Sequence, residues 1–343
     1  MKTVASDSRG VERGGGTMMA MTTLALLGAL LMGGCKHEPS TAAGVEQKPA
    51  VPATQIAAEY DPPAGTPPAL KVDGKRAFEL TGQFVAIGKR PLGSEGHKKA
   101  EEFIESHLKA AGAEIEEDSF TAQTPVGAFP VTNIIGKYPG KKDGIIVLAG
   151  HYDTNYPLRN VDYVGANDGG STTGLLLEMA EEFKKHPPQG YSIWIVFTDA
   201  EEAMVHWSDS DSVYGSKHLA EKWKQDGTAK KVKAFLLLDM IGDKDLDVQR
   251  DDNSTQWLED VVGRAAGRLY HSSHFFQTET AVEDDHLPFK KVGIPVADII
   301  DIDYGYNDVY HHTVQDTMDK LSPNSLQIVG DVVMETIRAL NTK

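Results

Sequence analysis

The sequence predicts an α/β domain, a mixed and mostly parallel twisted sheet with helices on both faces. Two patterns predict it. Short continuous apolar runs, Ile145 to Ala149, Ile193 to Phe197, Ala234 to Leu238 and Ile294 to Ile300, each give way at once to polar residues, as strands buried on both faces do. Between them, from Val72 onward, lie amphipathic stretches with apolar residues at helical spacing, and alternation of the two kinds of element implies crossover helices packed on a sheet.

In chain order, residues 1–35 stand apart. Arg9 and Arg13 precede the apolar stretch Met18 to Met32, which is shorter than the roughly 20 residues a membrane-crossing helix needs, so an export signal is expected rather than a membrane span. The stretch ends in Leu31-Met32-Gly33-Gly34-Cys35, which resembles a bacterial lipoprotein box. The expectation is an exported protein of the cell envelope or periplasm, lipid-anchored at Cys35 and touching the membrane only there; the alternative is an ordinary signal peptide with a spare cysteine. Cys35 is the only cysteine, so with it lipidated the mature chain has no thiol for a disulfide or a metal. Residues 36–71, rich in Pro and Ala and without hydrophobic periodicity, read as an extended, mobile spacer.

The catalytic domain is then expected over residues 72–343. Ala100, Phe103, Ile104, His107, Leu108 and Ala111 share one helical face, as do Leu175, Leu176, Met179, Ala180 and Phe183. In the last helix Ser322 is the N-cap, Pro323 holds the first position, and Leu326, Val329, Val333, Ile337 and Leu340 form the apolar stripe. The formal charge of −16, with no basic cluster beyond the first residues, argues against a nucleic-acid or anionic-membrane surface, since phosphates must be met by cations. A monomer is expected.

Each predicted strand end delivers residues of metal-ligand type. Ile145 to Ala149 runs into His151-Tyr152-Asp153, Ile193 to Phe197 into Asp199-Ala200-Glu201-Glu202, and Ala234 to Leu238 into Asp239, while Asn167-Asp168-Gly169-Gly170 and His311-His312 lie on loops. In open α/β sheets the site lies beyond the carboxyl ends of the strands. Carboxylate oxygens with imidazole nitrogens suit zinc. Singly, an Asp in Asn-Asp-Gly-Gly is ordinarily a turn residue and Glu201-Glu202 an ordinary helix start; surface charge has no reason to recur where buried strands emerge. Asp209 to Ser212 reads as a solvated loop rather than a calcium site.

From about Arg76 to the C-terminus this ordered set, with Leu238-Asp239-Met240, Asp284-Asp285-His286-Leu287-Pro288-Phe289 and His312-Thr313, resembles the zinc aminopeptidase and glutaminyl cyclase superfamily, peptidase family M28. The resemblance implies zinc held by Asp168, Glu202 and His312, with Glu201 as general acid/base. In the aminopeptidase branch His151 and Asp239 hold a second zinc, with Asp168 bridging; the cyclase branch binds one. The segment from Glu201 through Trp207 to Ala220, and Val282 to Phe289, look like the cyclase. There Asp239 and Asp284 orient the reacting groups, and Trp207 walls the pocket for the substrate's glutamine side chain. The departure is His311, a candidate substrate-binding residue that stands where animal cyclases carry Trp before the zinc histidine: the aromatic wall is missing unless Tyr304, Tyr306 or Tyr310 replaces it, and of His311 and His312 the match of His-Thr favours His312 as the zinc ligand. The implied activity is conversion of N-terminal glutamine on peptides or proteins to pyroglutamate with loss of ammonia. The alternatives are a metalloaminopeptidase and, from another class, a non-catalytic binding domain, which would be expected to have lost ligands.

Overall fold

A computed structural model describes residues 51–343. The expected signal, Cys35 and the first part of the spacer lie outside these residues. The elements in order are α1 (Ala53–Ala58), α2 (Gly74–Val85), α3 (Glu95–Ala110), β1 (Glu114–Thr124), β2 (Gly127–Tyr138), β3 (Lys142–His151), α4 (Gly170–Lys185), β4 (Tyr191–Thr198), α5 (Tyr214–Asp226), β5 (Val232–Asp239), β6 (Val248–Asp251), α6 (Gln256–Arg268), β7 (Phe275–Thr280), α7 (His286–Lys291), β8 (Val296–Ile300) and α8 (Pro323–Leu340).

The main sheet has the order β1-β2-β4-β3-β5-β8. β4, β3, β5 and β8 are mutually parallel, and the β1–β2 hairpin adds an antiparallel edge through β2 on β4. Because side chains alternate along a strand, each apolar run feeds two cores at once. Ile146, Leu148, Leu236 and Leu238 join the cluster built with α2, α3, α4, α6 and α8. Ile145, Val147, Ala149, Phe235 and Leu237 meet Leu219, Ala220 and Trp223 of α5 and Phe289 of α7. The expected sheet with helices on both faces is present, and β6 with β7 forms a separate parallel pair.

Local chemistry sets the helix starts. Asp73 accepts from the backbone N–H groups of Lys75 and Arg76, Ser94 from His97, and Ser322 from Asn324, each supplying an acceptor for N–H groups that the first turn leaves unpaired.

The spacer boundary needs correction. From Val51 the chain is not extended: α1 packs on α6, Ala57 is buried, and the Tyr60 ring stacks on Trp257 with centroids 5.2 Å apart. Asp61 takes hydrogen bonds of 2.9 Å from Arg264 Nε and Arg268 Nη1. The segment lacks periodicity because it docks through single anchors, one ring and one carboxylate, rather than along a helical face. Removing the Tyr60 ring (Tyr60→Ala) is therefore expected to destabilise the domain by about 1–2 kcal/mol, from lost area and stacking. Chemical denaturation of the domain from Val51 checks this; a spacer residue would give no change.

Candidate active site

The register places the strand ends abreast: His151 pairs with Thr198 across β3 and β4, and Asp239 with Ile300 across β5 and β8. Past these ends come Glu201 and Glu202 from β4, while Asp168 stands just ahead of α4 and His312 on the long loop between β8 and α8. A cavity of about 270 Å³ is lined by Asp168, Glu201, Glu202, Trp207, Asp239, Asp284, His311 and His312, together with Val282, Ile300 and Ile302. All eight cavity residues that the sequence singled out thus converge, and His151 lies buried against Asp168 and Asp239.

The donor atoms form two sets that share Asp168. On one side His312 Nε2 lies 3.1 Å from Glu202 Oε1 and 3.3 Å from Asp168 Oδ2. On the other His151 Nε2 lies 3.0 Å from Asp168 Oδ1 and 3.4 Å from Asp239 Oδ1. Ligands about 2.0 Å from a tetrahedral ion sit roughly 3.3 Å from one another, which the distances from His312 and from His151 approach; ligand atoms of His151, Asp168 and Asp239, and of Asp168, His311 and His312, all lie within 4.8 Å of one another. Asp239 Oδ1 is buried without a hydrogen-bond partner, as a ligand atom short of a cation would be. Burial alone would lower the proton affinity of His312, but Glu202 and Asp168 overrule it and push its pKa up to about 11. A carboxylate field that draws protons onto an imidazole is one that a divalent cation fits.

Glu201 is different. Burial, reinforced by Asp284 and Glu202, holds its carboxyl well above the ordinary range even against His151, which favours a group that exchanges a proton. Asp284 is likewise raised, by burial and then by Asp239 and Asp285. The turns that present these groups are tight: Ala200, Met240 and His312 have φ of 52°, 50° and 50°, left-handed values rare for residues with a Cβ. Trp207 stands 40% exposed at the mouth. The Asp209 to Ser212 loop is not solvated throughout: Asp211 is buried and accepts from the backbone N–H groups of Met204, Val205 and His206, which fixes the segment leading to Trp207.

Several residues brace the site through bonds to backbone: Asp153, Asn167 and Asp199 lie inside the motifs at the strand ends and the Asp168 loop, whereas Arg90 and Asp316 carry no signal in spacing or periodicity. Asp153 accepts from the N–H groups of Glu201 and Glu202 at 3.2 and 3.4 Å. Asn167 donates to the Met240 carbonyl and accepts from the Gly242 N–H, which ties the Asp168 loop to the end of β5. Arg90, fully buried, donates to the carbonyls of Gly88, Tyr152, Val164 and Gly165. Asp316 accepts from the N–H groups of Asn167 and Asp168. Asp199 accepts from Thr132 N–H and lies 2.6 Å from His97 Nε2. Their partners are distant in the chain, so only the fold reveals these bonds.

Comparison with known proteins gives a consistent result. Peptidase family M28 matches residues 133–337. A glutaminyl-peptide cyclotransferase-like protein of Bos taurus is 31% identical over 71% of this chain and 70% of its own length. Among solved structures, an Acidobacteriales bacterium glutaminyl cyclase is 57% identical, with a TM-score of 0.79 over 82% of this chain and 99% of that one. The Porphyromonas gingivalis glutaminyl cyclase is 29% identical, with a TM-score of 0.69 over 79% and 98%.

The His97–Asp199 pair gives stability a pH dependence. Burial would lower the His97 pKa, but the Asp199 carboxylate outweighs it and raises it from 6.5 to about 9. The folded state therefore holds this proton more tightly than the unfolded one. Its contribution is complete below pH 6.5 and lost as the pH rises through 9, to a total of roughly 3 kcal/mol. Thermal melts between pH 6 and 10 are expected to show that decline and His97→Gln to flatten it; equal slopes for the two proteins would contradict the assignment.

Proposed function

The chain belongs to the glutaminyl cyclase branch of peptidase family M28, and from that premise we infer how it acts as a glutaminyl-peptide cyclotransferase. The observation that carries the reading is the convergence on one cavity of a buried Glu201 whose carboxyl is held well above the ordinary range, Asp239 and Asp284, Trp207, and the donor set Asp168, Glu202 and His312. Zinc bound by Asp168, Glu202 and His312 would supply a Lewis acid for the side-chain carbonyl of an N-terminal glutamine.

The chain's own groups do the rest. The substrate's α-amine attacks its own side-chain amide carbon, a C–N bond closes the five-membered lactam, and the bond to the amide nitrogen breaks as ammonia leaves. Glu201 accepts the proton from the attacking amine and returns it to the departing nitrogen, so no water is consumed. Asp239 and Asp284, buried beside it, hold the amine and amide where these two atoms meet, converting a floppy side chain into a near-attack geometry. Trp207 closes one wall against the glutamine methylenes, and His311, on the loop that carries His312, lines the same cavity.

One zinc suffices for this chemistry, and His151 then braces Asp168 and Asp239 in place of binding a second ion. The substrates are peptide or protein N-termini. The lipoprotein-type segment ending at Cys35 supports an exported, envelope-anchored enzyme.

The test is product mass with a Gln-Phe-Ala-type peptide and the zinc-loaded protein. Loss of ammonia from an otherwise intact peptide is expected, whereas release of free glutamine would make this a two-metal aminopeptidase. Glu201→Gln is expected to retain zinc and lower kcat by about 10²- to 10⁴-fold, the usual contribution of a general acid/base. Trp207→Ala is expected to raise KM, measured on the same peptide, more than it lowers kcat.

A further inference from the structure

We propose that Asp316 is a positioning residue for the metal centre, its carboxylate joining the loop that carries Asp168 to the loop that carries His312. The side chain is completely buried. Its Oδ1 accepts from Asn167 N–H at 2.8 Å and from the Tyr304 hydroxyl at 2.8 Å, and its Oδ2 accepts from Asp168 N–H at 3.2 Å. Its own N–H donates to the Thr313 carbonyl at 3.1 Å, closing the turn that begins directly after His312.

These bonds matter because neither ligand sits on a strand. Asp168 precedes the first turn of α4, where backbone N–H groups have no partner within the helix. His312 rides a loop whose residues Tyr306, Val309 and Val314 are exposed. The 3.3 Å between His312 Nε2 and Asp168 Oδ2 is thus not inherited from the sheet register. One carboxylate spans both loops, with an oxygen for each of two consecutive N–H groups, and Tyr304 holds the oxygen that Asn167 uses. An asparagine could keep one of those acceptors but would turn its NH2 toward the other N–H donor. A residue acting only on the fold would stabilise the protein with or without metal. Asp316 acts on the spacing of two ligands, so its loss falls on metal binding.

The proposal rests on the ligand assignment Asp168, Glu202 and His312 and not on which reaction the site performs. The experiment measures zinc affinity by competition with a chromophoric chelator, in parallel with melts of the metal-free and zinc-loaded proteins. Asp316→Asn is expected to weaken zinc binding by about 10- to 100-fold, the range seen when groups that orient metal ligands are lost. The metal-free melt should move less than the loaded one, and excess zinc should restore turnover. Tyr304→Phe, which leaves both N–H bonds in place, is expected to weaken zinc binding only a few-fold, and Asp319→Asn, on the exposed face of the same loop, not at all.

Wild-type zinc affinity in Asp316→Asn, or an equal loss of stability in both forms with affinity unchanged, would overturn the proposal. If Asp316→Asn does not fold, Tyr304→Phe decides, and unaltered affinity there overturns it equally. A wild-type protein that binds zinc but releases no ammonia would count against the cyclase and leave this proposal standing. One that binds no zinc would remove its premise.

Discussion

The carboxylate of Asp168 faces two imidazoles, one oxygen toward His312 and the other toward His151, and the arrangement around it follows from the cost of burying charge. Asp168, Glu201, Glu202, Asp239 and Asp284 are all withdrawn from water at the carboxyl end of the sheet, and among the described residues no lysine or arginine lines their cavity. Such a cluster is tolerable only where backbone N–H groups, imidazoles or a cation take up the negative charge. Asp168 has the two histidines, the Tyr163 hydroxyl and the first turn of α4. Glu202 has His312 and the Asn155 amide. Among the described residues the Glu201 side chain faces only His151 Nδ1, at 3.9 Å, and burial leaves its carboxyl well above the ordinary range.

The same constraint explains the bracing around the pocket. Asp153, Asp316 and Asp199 are buried carboxylates whose oxygens take backbone N–H bonds, and Arg90 is a buried guanidinium that serves backbone carbonyls. Each spends a charged side chain on fixing loops, because loops that carry ligands lack the ladder that fixes a strand. Precision in the cavity is thus built from polar groups behind it, while the two apolar cores on either side of the sheet set only where the strand ends fall.

Much of this was legible in the sequence, for a physical reason. Strands buried on both faces leave continuous apolar runs, and the polar residues that follow mark the carboxyl end of the sheet, so His151, Glu201, Glu202 and Asp239 could be read where such runs stop, whereas Asp168 and His312, on loops, came only with the family motifs. The β1–β2 hairpin left no comparable run, because much of β1 is exposed and its burial is intermittent. The docking of Val51 to Lys71 was hidden for the reason that Tyr60 and Asp61 act as isolated anchors. Asp316 and Arg90 were hidden because hydrogen bonds to backbone leave no pattern in side-chain chemistry. The branch of the family was legible in the segments around Trp207 and Asp284, whose residues line the cavity, although His311 departed from the pattern.

The left-handed residues at the turns, Ala200 and Met240, have a consequence for how such an enzyme tolerates change. Glycine would adopt those angles at less cost in the folded state. Yet the Ala200 methyl packs with Leu92, Val131 and Met204, and the Met240 side chain with Ala166, Tyr304 and Leu321, each directly beside a working carboxylate. A glycine there would relax the backbone and release the packing that immobilises Glu201 or Asp239. Routine thermostabilisation, which favours glycine at positive φ, would in this protein loosen the two turns that set Glu201 and Asp239 at the cavity.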